Sequence, residues 1–137
     1  MGHLNPAAPW DDIGALDPSR TQVHSKRWML PSSHLIVKES PQDAARRIAR
    51  EQLDLADVEL SEPKVVSEVA PPRRFPQFVD HWDLEFIFRG ELTADAVPRS
   101  AAWTDLRFVD LARTPREEIA RSHEDTLESA GLRFGEG

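Results

Sequence analysis

No cysteine occurs among the 137 residues. That excludes disulfides, thiolate zinc sites and cysteine nucleophiles, and makes a cytoplasmic setting the expectation. No apolar run approaches the ~18 residues that a membrane span needs, and no secretory signal pattern stands at the N-terminus. Positive charge is in deficit: 17 Lys and Arg stand against 24 Asp and Glu, a formal net charge of -7. Polynucleotide binding draws most of its affinity from neutralising phosphates with basic side chains, so it is not expected here. Several site signatures are missing as well. G-x-x-x-x-G-K-[ST], G-x-G-x-x-G and G-x-S-x-G are absent, which removes the P-loop, dinucleotide-fold and α/β-hydrolase readings. His3, His24, His34, His81 and His123 form no H-x-x-x-H or H-E-x-x-H pattern, and no internal repeat occurs.

What remains is a chain of 39% apolar content, with a mean hydropathy of -0.51 and 11 prolines. It is sized for one core with many loop segments. Residues 1–22 contain Pro6, Pro9 and Pro18 and sustain no period, so an irregular segment is expected there. Residues 23–132 carry the domain, and residues 133–137 form a tail. A run near Gln22–Leu30 and the β-branched Lys64–Ala70 read as strands. Phe78–Gly90 alternates: Phe78, Trp82, Leu84, Phe86 and Phe88 share one parity, which predicts a buried apolar face and a polar face opposite. Trp103–Leu111 reads as a strand leading to a last helix, with Thr114 as cap, Pro115 at its first position, Glu117 completing the capping box and Gly131 ending it.

The strongest local signal is a helix from Pro41 to about Leu53. Ser40 can cap it, Pro41 suits the first helical position, and Asp43 places a carboxylate on the first turn. Ala44, Ala45, Ile48, Ala49 and Gln52 line one narrow face suited to packing on a sheet. The Leu30-Pro31-Ser32-Ser33 turn lies ahead of it, with Glu39 between.

Together these residues resemble the Nudix box, G-x5-E-x7-R-E-U-x-E-E-x-G-U. Ser33 stands at its first Gly, Glu39 at its first Glu, Arg47 at its Arg, Glu51-Gln52 at its Glu pair, Asp54 at its second Gly and Leu55 at its last aliphatic. Ile48 replaces the Glu after the Arg, and Ala49 takes the aliphatic position. The resemblance spans about residues 23–132 and implies an α/β fold, a Nudix-like α/β/α sandwich with a small mixed sheet. Only one short strand precedes the turn where the family has more, so the N-terminal strands are abbreviated or the chain begins inside a longer domain.

By resemblance the activity would be hydrolysis of a nucleoside diphosphate linked to another moiety, with Mg²⁺ or Mn²⁺ as cofactor. Glu51 and Arg47 would be the catalytic residues, and Glu51 and Glu39 the metal ligands. Hard divalent cations need several oxygen ligands. Ile48 offers none and Gln52 only a neutral carbonyl, so weak or lost turnover is expected. The alternative is a non-catalytic nucleotide-binding, regulatory or interaction module of the same fold. A small nucleotide-type ligand is the expected partner, with homodimerisation left open and neither polynucleotide nor membrane. Arg47 and Glu51, four residues apart on a helix, also read as a plain ion pair. Glu85, Glu124 and Asp125 are candidates for a compensating carboxylate, Trp28 and Phe75 for a base-stacking platform, and the basic 71–76 loop for a phosphate contact.

Overall fold

The cap signals around Ser40 are realised in full. In the computed structural model, which describes residues 1–8, 26–70, 81–93, 98–120 and 123–135, helix α1 runs Pro41–Leu53. The Asp43 amide donates to Ser40 Oγ at 3.1 Å, and the Ser40 hydroxyl donates to Asp43 Oδ2 at 2.8 Å. Asp54 ends the helix in the left-handed region, φ 54°, where its N–H reaches the carbonyls of Ala49 and Arg50. The last-turn carbonyls, which no helix can satisfy by itself, are taken by an incoming segment. Arg99 N donates to Leu53 O at 3.1 Å, Ser100 Oγ to Glu51 O at 2.9 Å, and the Trp103 indole N–H to Gln52 O at 2.6 Å.

Trp103 starts strand β6 (Trp103–Leu106), which pairs antiparallel with β1 (Gly2–Leu4). The sequence reading of residues 1–22 as irregular is therefore corrected at its start, while residues 9–22 lie outside the described set. Pattern could not find a strand of three residues; Leu4 is nonetheless fully buried and anchors it. On the other side of β1, Gly2 exchanges two backbone hydrogen bonds with Met29, and Trp28 then pairs in parallel with Ile119. Leu4, Met29, Ala102, Trp103 and Ala120 pack together as the core of this layer. Gly2 has to be glycine here: a Cβ would lie 2.4 Å from the Trp103 ring.

Between α1 and β6 the chain makes a ribbon. β2 (Glu59–Leu60) pairs with β5 (Gly90–Glu91), and β3 (Lys64–Ala70) with β4 (His81–Ile87), all antiparallel. A bulge joins the two ladders, with Ser61 N donating to Arg89 O at 2.8 Å and Arg89 N to Ser61 Oγ at 3.0 Å. Strand β3 has the bounds the sequence predicts. Among the described residues every ladder is two-stranded and antiparallel, so the chain combines helices with small antiparallel sheets.

Two expectations are corrected. The apolar parity of β4 is real, but it faces out: Trp82 and Leu84 are exposed, while Glu85 lies on the packed side. That side meets helix α2 (His123–Ser129), through Thr126 Oγ1 to Glu85 Oε2 at 3.0 Å and Lys64 Nζ to the Ser129 carbonyl. Arg89 reaches the next carbonyl, Ala130 O. Both cations sit at the negative end of the α2 dipole, which fixes the ribbon with its charged face inward. The second correction concerns the last helix. Thr114 caps no long helix, because Arg116–Glu118 is a 3₁₀ turn and Ile119 is extended. Trp28 N donates to Glu118 O at 2.8 Å and Ala120 N to Trp28 O at 2.9 Å, so sheet-like pairing overrides the capping box. Gly131, φ 82°, does end α2 as expected. None of the helices among the described residues is long and apolar enough to cross a membrane.

Gly2→Ala is expected to destabilise the protein by about 1–3 kcal/mol through overpacking against Trp103. A urea midpoint unchanged from wild type would contradict this placement.

Candidate functional site

The loop from Leu30 to Ser40 folds over α1 because Arg47 holds it there. Arg47 is buried on the inner face of the helix, about two turns past the cap. Its Nε donates to Glu39 Oε1 at 2.7 Å and its Nη2 to Glu39 Oε2 at 3.0 Å, a bidentate pair. The same guanidinium reaches His34 O at 3.0 Å, Ser33 Oγ at 3.4 Å and Glu51 Oε2 at 3.4 Å. Glu39 also accepts from the Ile36 amide at 3.0 Å, which closes the 36–39 turn, with Lys38 at φ 70°. The fork of a guanidinium matches two carboxylate oxygens and still has donors to spare, so one side chain ties the loop to the helix at several points. Arg47 and the Ile36 amide hold the Glu39 carboxyl down at about 2, and Glu39, then Glu51, raise the pKa of Arg47 in return.

A second clamp lies one turn along. Gln52 is fully buried and its carboxamide forms a closed pair with the backbone of Ser32: Ser32 N donates to Oε1 at 3.1 Å, and Nε2 donates to Ser32 O at 2.8 Å. An amide presents one acceptor and one donor side by side, as a peptide group does. A carboxylate at this position would meet the Ser32 carbonyl with a lone pair instead of a hydrogen. The chemistry of the site therefore requires Gln where the Nudix pattern has Glu. Sequence reasoning treats Gln52 as a missing ligand; its amide, a group with both a donor and an acceptor, is the signal for this other role.

All three predicted site residues, Glu39, Arg47 and Glu51, are thus brought together, as one ion-paired cluster. The donor set does not fit Mg²⁺ or Mn²⁺. Both Glu39 oxygens are engaged by Arg47, Glu51 shares that guanidinium, the Gln52 oxygen is committed to Ser32, and Ile48 has no oxygen. A cation would have to share these carboxylates with a buried positive charge. Among the described residues no group of three or more His, Asp or Glu is arranged for a metal ion.

The other candidates lie elsewhere. Glu85 accepts from Thr126, Asp125 pairs with Arg116 at 3.0 Å, and Glu124 keeps one buried oxygen without a hydrogen-bond partner. None of the three is hydrogen-bonded or ion-paired to Arg47, Glu39 or Glu51. The Trp28 ring is covered, by His3 at a centroid distance of 3.9 Å and by the Arg107 guanidinium at 5.4 Å. Phe75 and the 71–76 loop lie outside the described residues.

Two residues that the sequence does not single out, Arg50 and Arg99, line an open depression of about 530 Å³ at the C-terminal end of α1. Glu51, Asp54, Ser100 and Ala101 complete its wall. Neither arginine makes an ion pair among the described residues. Compared with known proteins, the chain matches no protein-family model and no solved structure.

Two outcomes test the cluster. Gln52→Glu, though it restores the Nudix pattern, is expected to cost about 2 kcal/mol or more at neutral pH by setting a buried carboxylate against the half-buried Ser32 carbonyl. The deficit should shrink in acid, where a protonated carboxyl can donate; equal stability of variant and wild type in urea melts at pH 7 would refute the closed pair. For Glu39 the folded-state value near 2 lies below its ordinary 4.5, so its stabilisation is complete above 4.5 and is lost as pH falls toward 2. Glu39→Gln should accordingly flatten the stability profile across that window, with wild type and variant converging at its acid end. Parallel profiles would show that the ion pair contributes nothing.

Proposed function

We propose that this chain is a non-catalytic module of Nudix-like type, a small α/β/α sandwich that binds a nucleotide-type ligand without metal-dependent turnover. The observation that carries the reading is the commitment of the box side chains. Glu39 and Glu51 are partners of Arg47, and Gln52 is a partner of Ser32. In an active member the corresponding oxygens would be free for metal, and the metal would neutralise charge on the reacting phosphate. Here the same framework is held together by those groups.

Ligand binding is supported by the depression beside Glu51. Arg50 and Arg99 offer guanidinium donors to phosphate oxygens, and Glu51 and Asp54 offer acceptors to hydroxyl or amino groups. A nucleotide carries both kinds of group. A simple polyanion would be repelled by the two carboxylates and by the C-terminal end of the helix dipole.

The test pairs activity with binding. Product release from a panel of nucleoside diphosphates linked to a second moiety is expected to stay at background with Mg²⁺ or Mn²⁺. Calorimetric titration with the same panel should find a ligand whose affinity does not change when EDTA replaces the metal. Arg50→Ala combined with Arg99→Ala should weaken that affinity at least about tenfold, as removal of a charge-assisted hydrogen bond does. Metal-dependent turnover abolished by Glu51→Gln would overturn the proposal in favour of a divergent hydrolase.

A further inference from the structure

The ribbon is inside out for a free monomer. Its register places Val65 opposite Phe86, Ser67 opposite Leu84 and Val69 opposite Trp82, all on one face. That face points to solvent: Val65 is 53% exposed, Val69 65%, Trp82 64% and Leu84 49%. The patch is on the order of 400 Å², as large as the largest apolar patch a typical monomer shows, and such patches commonly mark interfaces. The other face is the charged one, with Lys64, Glu68, Asp83 and Glu85, and it is held against α2 by the contacts of Lys64 and Glu85. Turning the ribbon over to bury the apolar face would break the Lys64 and Arg89 contacts to the end of α2. Among the described residues no other element packs on the exposed face.

We propose that a second copy of this chain covers the apolar face of β3 and β4, so that two ribbons pack face to face about a twofold axis. Three observations select this occupant. First, the face has no charge, although the chain as a whole carries -7. It is therefore a surface on which two identical chains can meet without like-charge repulsion, and it offers nothing to recognise a charged partner. Second, its largest polar donor is already engaged, because the Trp82 indole N–H donates to Ser67 Oγ at 2.7 Å. Burying the face leaves no indole donor stranded, which removes the main cost of desolvating it. Third, the area suits a pair. Two such faces would bury roughly 800 Å², an area in the range of weak, reversible contacts. Two-stranded sheets are marginal alone, and stacking them about 10 Å apart gives each the apolar partner it lacks. The interface is independent of the ligand reading, since none of the residues lining the Arg50–Arg99 depression belongs to the ribbon.

Sedimentation velocity of the full chain between about 1 and 200 µM is expected to show a reversible monomer–dimer equilibrium with a micromolar Kd. Trp82→Glu should weaken it at least about 30-fold, as loss of a central aromatic anchor does. Its far-UV spectrum and its melting temperature at the lowest concentration should stay at wild-type values, because Trp82 is not part of the monomer core. A second variant guards against a general surface effect. The chain has no cysteine, so Leu84→Cys can form a disulfide only between copies; it should oxidise to a covalent dimer much faster than Val37→Cys, an apolar position that is 87% exposed off the ribbon. A monomer throughout the range, oligomers that grow without limit, or a dimer untouched by Trp82→Glu would each overturn the proposal.

Discussion

Everything around the box depends on one guanidinium being kept buried and fully engaged. A buried arginine is costly unless its charge is matched and its donors are used. Arg47 meets both conditions by drawing Glu39 from the loop and Glu51 from its own helix, and by reaching the His34 carbonyl. The apolar residues at the loop's tip do not hold it: Leu35, Ile36 and Val37 are all exposed. Its position is set by polar contacts at two points, Arg47 to Glu39 and Gln52 to Ser32, one on each side of the turn. The C-terminal half of α1 is tied in turn to the small layer through Trp103, whose ring also packs on Gly2. Loop, helix and layer thus form one chain of dependence that starts at a charge.

This arrangement changes what the departures from the Nudix pattern mean. Ile48 and Gln52 look like erosion when the box is considered only as a metal site. In the structure Gln52 is the residue best matched to its surroundings, since only an amide satisfies both Ser32 groups. Glu39 and Glu51 likewise have a structural duty that is independent of any metal. The carboxylates that the resemblance would give to a cation are the ones that, with Arg47, organise the loop.

Much of this was legible in the sequence, for a local reason. Ser40, Pro41 and Asp43 act within one helical turn, so the helix start could be read directly, and Arg47–Glu51 follows from helical spacing alone. Strand β3 was equally plain from its β-branched run. What could not be read was set by distant partners. Alternation along β4 identifies two faces but not which one is turned inward; here Lys64 and Arg89 at the end of α2 decide it. The capping signals at Thr114 and Glu117 are genuine, yet Ile119 is drawn into pairing with Trp28, far away in the chain. Strand β1 is too short for any period and exists because Leu4 fills the core. The depression at Arg50 and Arg99 depends on how residues 99–101 meet the helix end, which no spacing announces.

The most direct test of the account is a Mn²⁺ titration of the wild-type protein followed by electron paramagnetic resonance. If the box carboxylates belong to Arg47, the free-ion signal should persist undiminished up to about millimolar metal, as for acidic surface groups with no organised site, and Glu51→Gln should change nothing. Stoichiometric loss of the signal in wild type, restored by Glu51→Gln, would contradict it and return the carboxylates to the metal.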